Sequence, residues 1–137
     1  MSELAPILSL IPQRPPFVMV SRLVEFAPTM GTSELDVQPD CILCEEGHLA
    51  EVGIMEHIAQ TCAAYIGYRN RSLPIKIGVI GAVSNFKLMS QPHVGERIRS
   101  HIAVVAEVFD MLLIDAQTHR ADGSLCATCQ MKISLID

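Results

Sequence analysis

A chain of 137 residues is large enough for one well-formed core and too short for two, so residues 1–137 are read as one domain. Half of it is apolar and only 18% charged, and a net charge of −5 argues against nucleic-acid binding, which needs a basic face. No apolar run is long and clean enough to span a bilayer, and the start Met1-Ser2-Glu3-Leu4 lacks the basic-then-apolar pattern of a secretory leader. A cytoplasmic protein without membrane contact is therefore expected, its surplus apolar surface buried at a subunit interface.

Glu3 to Leu10 is amphipathic and predicts a short helix, stopped near Ile11-Pro12 because the residue before a proline is pushed out of the helical region. Arg14-Pro15-Pro16 is stiff and extended. Phe17 to Glu25 is rich in Val, Met and Leu and reads as a strand, Ala27 to Gly31 turns it, and Thr32 to Val37 alternates as a second strand. Cys41 to Glu51 forms a loop or short strand leading to a central helix, which contains Ile54 to Tyr68 and closes around Gly67 to Leu73. After Pro74 four long strands follow: Ile75 to Leu88, Arg97 to Phe109, Met111 to Arg120 and Leu125 to Ile136. Ala121-Asp122-Gly123 makes the last hairpin turn. A helix apolar on nearly every side must be enclosed, and a curved antiparallel sheet of five to six strands does that. The fold class is α+β.

Four of the five cysteines fall into two C-x-x-C pairs, Cys41/Cys44 and Cys126/Cys129, a spacing that zinc sites also use. Cys126 to Leu135 reads as an extended strand, however, on which residues three apart point to opposite faces and cannot share a metal. No metal is expected, and the cysteines read as buried thiols of a reducing compartment.

One residue of the helix does not belong in a core. Burying an ionised carboxylate costs several kcal/mol or more, so Glu56 is expected to be paired or to hold a proton. An acid so placed suits proton-transfer chemistry. The competing reading is a structural acid paired with Arg14 or His57. Gln60 lies one turn from Glu56 on the same face. His48, in the loop before the helix, is a candidate base, and His57, about 100° around the helix from Glu56, is an alternative one.

Three stretches, in this order, are familiar. Ile11-Pro12-Gln13-Arg14-Pro15-Pro16-Phe17-Val18-Met19-Val20-Ser21-Arg22, Glu56-His57-Ile58-Ala59-Gln60, and the run from Gly81 through Phe86 and Pro92 to Gly95-Glu96 together resemble 3-hydroxyacyl-acyl-carrier-protein dehydratases of the hot-dog fold. Within that family the chain resembles the compact forms of aryl-polyene and related pigment-lipid clusters. The resemblance implies dehydration of a 3-hydroxyacyl thioester, on acyl carrier protein or coenzyme A, to the trans-2-enoyl form, without cofactor or metal. It implies that Glu56 protonates the departing hydroxyl and that His48 removes the proton next to the thioester carbonyl. Gln60, Gly53 and Gln13 are the implied substrate-facing residues. Gly53 would offer a backbone N–H to the thioester oxygen, and Gln13 stands where the family carries histidine. The spacing from His48 to Glu56 is also shorter than the family's. A homodimer with sites built from both chains is implied, a larger or mixed oligomer staying open. Two other readings share these residues: an acyl-thioesterase using the helix carboxylate to activate water, and a catalytically silent subunit paired with an active homologue.

Overall fold

The computed structural model describes residues 3–73 and 77–136. Among the described residues eight strands and one long helix follow one another along the chain. They are β1 (Arg22–Ala27), β2 (Met30–Asp36), β3 (Cys44–Glu45), β4 (His48–Leu49), α1 (Glu51–Arg69), β5 (Ile77–Leu88), β6 (Arg97–Val108), β7 (Met111–His119) and β8 (Leu125–Ile136). Six strands form one antiparallel sheet in the order β1-β2-β6-β7-β8-β5, while β3 and β4 make a small separate hairpin. The sheet wraps α1, the α+β arrangement that the patterning predicts and the hot-dog fold that the resemblance implies.

Helix α1 has buried residues on every side, eleven of its nineteen, which is why its sequence lacks a polar stripe. Ile54, Ile58, Tyr65 and Ile66 pack against Ile98, Ile102, Leu112, Ile114, Met131 and Ile133 of the sheet. Each such large side chain contributes about 1.5–3 kcal/mol on burial. At the C-terminal end Asn70 N–H closes on Ile66 O, and Arg69, favourably placed against the helix dipole, pairs with Glu107 of β6. Gly67 is where the chain before β1 crosses the helix. A Cβ there would sit 2.8 Å from the Leu10 carbonyl carbon.

Three expectations need correction. The opening segment is not a helix over Glu3 to Leu10: only a 3-10 turn at Ile7–Ser9 forms, while Leu4 N–H is drawn to Leu23 O of β1. The strand expected from Phe17 starts only at Arg22, because the backbone of Phe17 and Met19 bonds to helix side chains instead of a neighbouring strand. Cys126 and Cys129 do not divide between the two faces of β8. Thr118 pairs with Ala127 and His119 with Leu125, so Cys126 is the extra residue of a bulge, and both cysteines lie in the same core cluster. Ile75 and Lys76, expected to open the β5 strand, lie outside the described residues.

On the outer face of β1, β2 and β6, Glu34 and Asp36 alternate with Arg22, Arg97 and Arg99 in a continuous ion-pair ladder. A second clamp joins Glu96, at the end of the turn after β5, to Arg120 after β7 at 2.7 Å. The Arg120 guanidinium above all holds the Glu96 carboxyl down at about 2, against the cost of its burial. That clamp fixes the turn carrying His93. Among the described residues no helix is long and apolar enough to cross a membrane.

Candidate active site

Glu56 sits on the second turn of α1, half-buried, on the side facing β5. It opens into a cavity of about 290 Å³ lined by Gln13, Ala59, Ala63, Ile66 and, from β5, Val79 and Ile80. The helical spacing makes the room: positions 59 and 63 share the face of Glu56 and carry only methyl groups. The far wall is the outermost strand of the sheet, and Val79 and Ile80 remain 45% and 41% exposed, so the cavity reaches the sheet edge.

The carboxylate is held rather than loose. Gln60 Nε2 donates to Glu56 Oε2 at 2.9 Å and to Phe17 O at 2.9 Å, while Gln60 Oε1 accepts from Met19 N–H at 2.6 Å. Three partners leave the amide a single orientation, because its donor and acceptor ends are each assigned by a backbone group. His57 adds the next bond on the same segment, its Nδ1–H donating to Met19 O at 2.7 Å. Phe17 to Met19 is thus a strap lashed to the helix by residues 57 and 60, and Glu56 lies beside the lashing. The strap escapes a reading by alternation. The signal for it is the stiff Arg14-Pro15-Pro16 lead-in facing two hydrogen-bonding side chains one helical turn apart.

His57 is wholly buried. Burial pushes its ring down to about 4, against the opposing bond to Met19, so the imidazole is neutral with Nδ1 carrying the proton. Its Nε2 is buried and has no hydrogen-bond partner among the described residues. A base sealed in this way cannot meet a substrate. Glu56 pairs with neither His57 nor Arg14, whose Nη1 donates to the carbonyls of Ile11 and Gln13. Cys62 also borders the cavity, where burial first and neighbouring Cys129 second push its thiol up to about 12 and favour the protonated form.

His48 lies elsewhere, on β4. Its Nδ1 sits 3.0 Å from Glu46 O, which leaves Nε2 as the free lone pair, and its ring rests against His93 with centroids 4.5 Å apart. It does not line the Glu56 cavity. Gly53, buried near the start of α1, packs beneath the β3–β4 hairpin, where a Cβ would meet Leu49 Cδ1 at 2.6 Å and Leu43 Cβ at 3.1 Å. Gln13 borders the cavity, and its Oε1 is buried without a hydrogen-bond partner among the described residues. Within one chain the structure therefore joins Glu56, Gln60 and Gln13 and leaves His48 and Gly53 apart. Among the described residues no cluster of three or more His, Cys, Asp or Glu side chains can hold a metal ion.

The model of the ApeP-like family, described as ApeP dehydratase, matches residues 5–134. Among proteins of curated function none matches the sequence. Among solved structures, the dehydratase heterocomplex ApeI:P from Xenorhabdus doucetiae is similar over 97% of this chain and 92% of that one, with a TM-score of 0.89 and 13% identity. A hypothetical thioesterase from Streptococcus pneumoniae with coenzyme A is similar over 84% of both chains, at a TM-score of 0.69 and 8% identity. The PaaI protein of the Escherichia coli phenylacetic acid degradation operon covers 84% of this chain and 78% of its own, at a TM-score of 0.68 and 10% identity. At these identities the structural likenesses establish the fold.

Proposed function

Because the chain belongs to the ApeP-like dehydratase family, we propose that it takes part in removing water from a 3-hydroxyacyl thioester carried on acyl carrier protein, giving the trans-2-enoyl thioester. The observation that carries this reading is the held carboxyl of Glu56 in a cavity that ends at the sheet edge. A base takes the proton from the carbon next to the thioester carbonyl, and the electron pair moves toward the carbonyl oxygen. It returns as the new double bond while the carbon–oxygen bond to the 3-hydroxyl breaks. Glu56 gives its proton to the departing hydroxyl and water leaves. Gln60 holds Glu56 for this transfer, and the unpartnered end of Gln13 offers the substrate a polar contact.

The base comes from a second chain. No histidine of the same chain lines the cavity, His57 is sealed, and β5 is an edge strand whose side chains at 79 and 80 need a cover. A partner paired along β5 places its own groups beside Glu56. In a homodimer the reciprocal group is the His48 imidazole of the second copy, whose Nε2 is free. The heteromeric make-up of the ApeI:P structure supports a second reading, in which this chain is one half of a mixed dimer and the partner supplies the histidine. Both readings place the protein in the cytoplasm, where acyl carrier proteins are loaded.

Mass-spectrometric assay of a 3-hydroxyacyl-carrier-protein panel separates the possibilities. Loss of one water by the purified chain alone, abolished in His48→Ala, supports a homodimeric dehydratase. Turnover that appears only after adding a homologous dehydratase subunit supports the mixed dimer. Release of free acid instead of enoyl product overturns the dehydratase reading in favour of a thioesterase.

A further inference from the structure

We propose that Cys41 and Cys44 form a reversible dithiol–disulfide pair, a modification site that closes on reaction with a low-molecular-weight disulfide. Cys41 to Cys44 is a single turn: Ile42 and Leu43 are its central residues, and Cys44 N–H donates to Cys41 O at 3.3 Å. Such a turn brings its end Cα atoms within about 7 Å of one another, inside the reach of a disulfide, which spans roughly 4.4–6.8 Å. Both ends are anchored, Cys44 by its pairing with Leu49 in the β3–β4 hairpin and Cys41 by its own N–H to Gln38 O at 3.1 Å. The turn thus holds the two side chains as neighbours.

The two thiols already sense one another. Burial and then the neighbouring Cys41 push the Cys44 thiol up to about 12. Cys41 is the attacking sulfur. It borders a second cavity of about 230 Å³, together with Met19, Val18 and Asp40, which lets a small reagent reach it. The other three cysteines are buried in the core, and burial pushes their thiols up to about 11 or 12. Cys41 and Cys44 are only partly buried, so access makes the reaction selective for the turn.

The step balances without a metal or further oxidant. The Cys41 thiolate attacks one sulfur of the reagent, the reagent's sulfur–sulfur bond breaks, and one small thiolate leaves with the electron pair. Cys44, losing its proton to solvent, attacks Cys41 sulfur and expels the second small thiolate. The two protein thiols are oxidised, the reagent is reduced to two thiols, and the released protons end on them. The site adjoins the strap: Cys41 Sγ lies 3.9 Å from Met19 Sδ, and Met19 is the residue that both His57 and Gln60 grip.

The test treats the reduced full-length protein with excess hydroxyethyl disulfide and reads intact mass and alkylation-protected peptides. The wild type is expected to lose two hydrogen masses, with protection confined to Cys41 and Cys44 and full return on adding dithiothreitol. Cys44→Ser is expected to stop at a mixed disulfide on Cys41, and Cys41→Ser to react at least tenfold more slowly. A wild type that also stops at the mixed disulfide, that stays unreacted, or that links Cys62, Cys126 or Cys129 instead overturns the proposal.

Discussion

Gln60 Nε2 donates to Glu56 Oε2 at 2.9 Å, and the same amide takes Met19 N–H at 2.6 Å, so the candidate acid and the strap before β1 are fixed by one side chain. Gln60→Ala removes three bonds at once and leaves the Met19 N–H without a partner in a buried position and the Phe17 carbonyl without one in a part-buried position. Each such orphan costs about 1–3 kcal/mol, so a loss of about 2–4 kcal/mol in urea unfolding is expected. In a competent dehydration assay the loss falls on kcat more than on KM, since the variant loosens the acid without removing cavity wall. A variant as stable as the wild type would contradict the strap's role.

A second expectation concerns pH. His57 titrates at about 4 in the fold against 6.5 unfolded, so the unfolded chain binds its proton first as pH falls. Its stabilising effect is complete above 6.5 and is lost progressively on going down to about 4. The slope is at most about 1.4 kcal/mol per pH unit, totalling roughly 3 kcal/mol. Glu96, lowered from 4.5 to about 2, contributes stability above 4.5 that is lost on further acidification. Denaturant titrations between pH 6.5 and 5 therefore isolate the histidine. His57→Gln should flatten the dependence there, and an unchanged slope would place the proton uptake elsewhere.

Gly67 tests the packing of the opening segment on the helix. Its added Cβ would run into the Leu10 carbonyl group, 2.8 Å from the carbon, and backbone on both sides has little room to yield. Gly67→Ala should cost about 3 kcal/mol in thermal unfolding, despite alanine's better helix propensity. A gain in stability would show that Leu10 can move away.

Much of this fold is legible because the relevant signals are local. The helix announces itself by being apolar on all sides, and β6, β7 and β8 start and stop within a residue or so of the positions that alternation and the Ala121-Asp122-Gly123 turn imply. Phe17 to Met19 fails for a non-local reason: its backbone groups are satisfied by Gln60 and His57, about forty positions along the chain. Cys126 fails because one bulge residue shifts the period of two on which face assignment depends. At the site, Glu56 and Gln60 are legible as charge and amide one turn apart on a greasy helix. The separation of His48 from the Glu56 cavity is not, since it depends on how the β3–β4 hairpin seats against Pro92 and His93.

The most direct test of the central claim compares wild type with Glu56→Gln in single-turnover dehydration of a 3-hydroxyacyl-carrier-protein, using whichever assembly proves competent. The substitution keeps the shape and can still accept the Gln60 hydrogen bond, so folding stability should stay within about 1 kcal/mol. With the proton donor gone, the rate should fall on the order of 10²–10⁴-fold. Dehydration that continues at the wild-type rate would contradict the account and move the acid to another residue or to the partner.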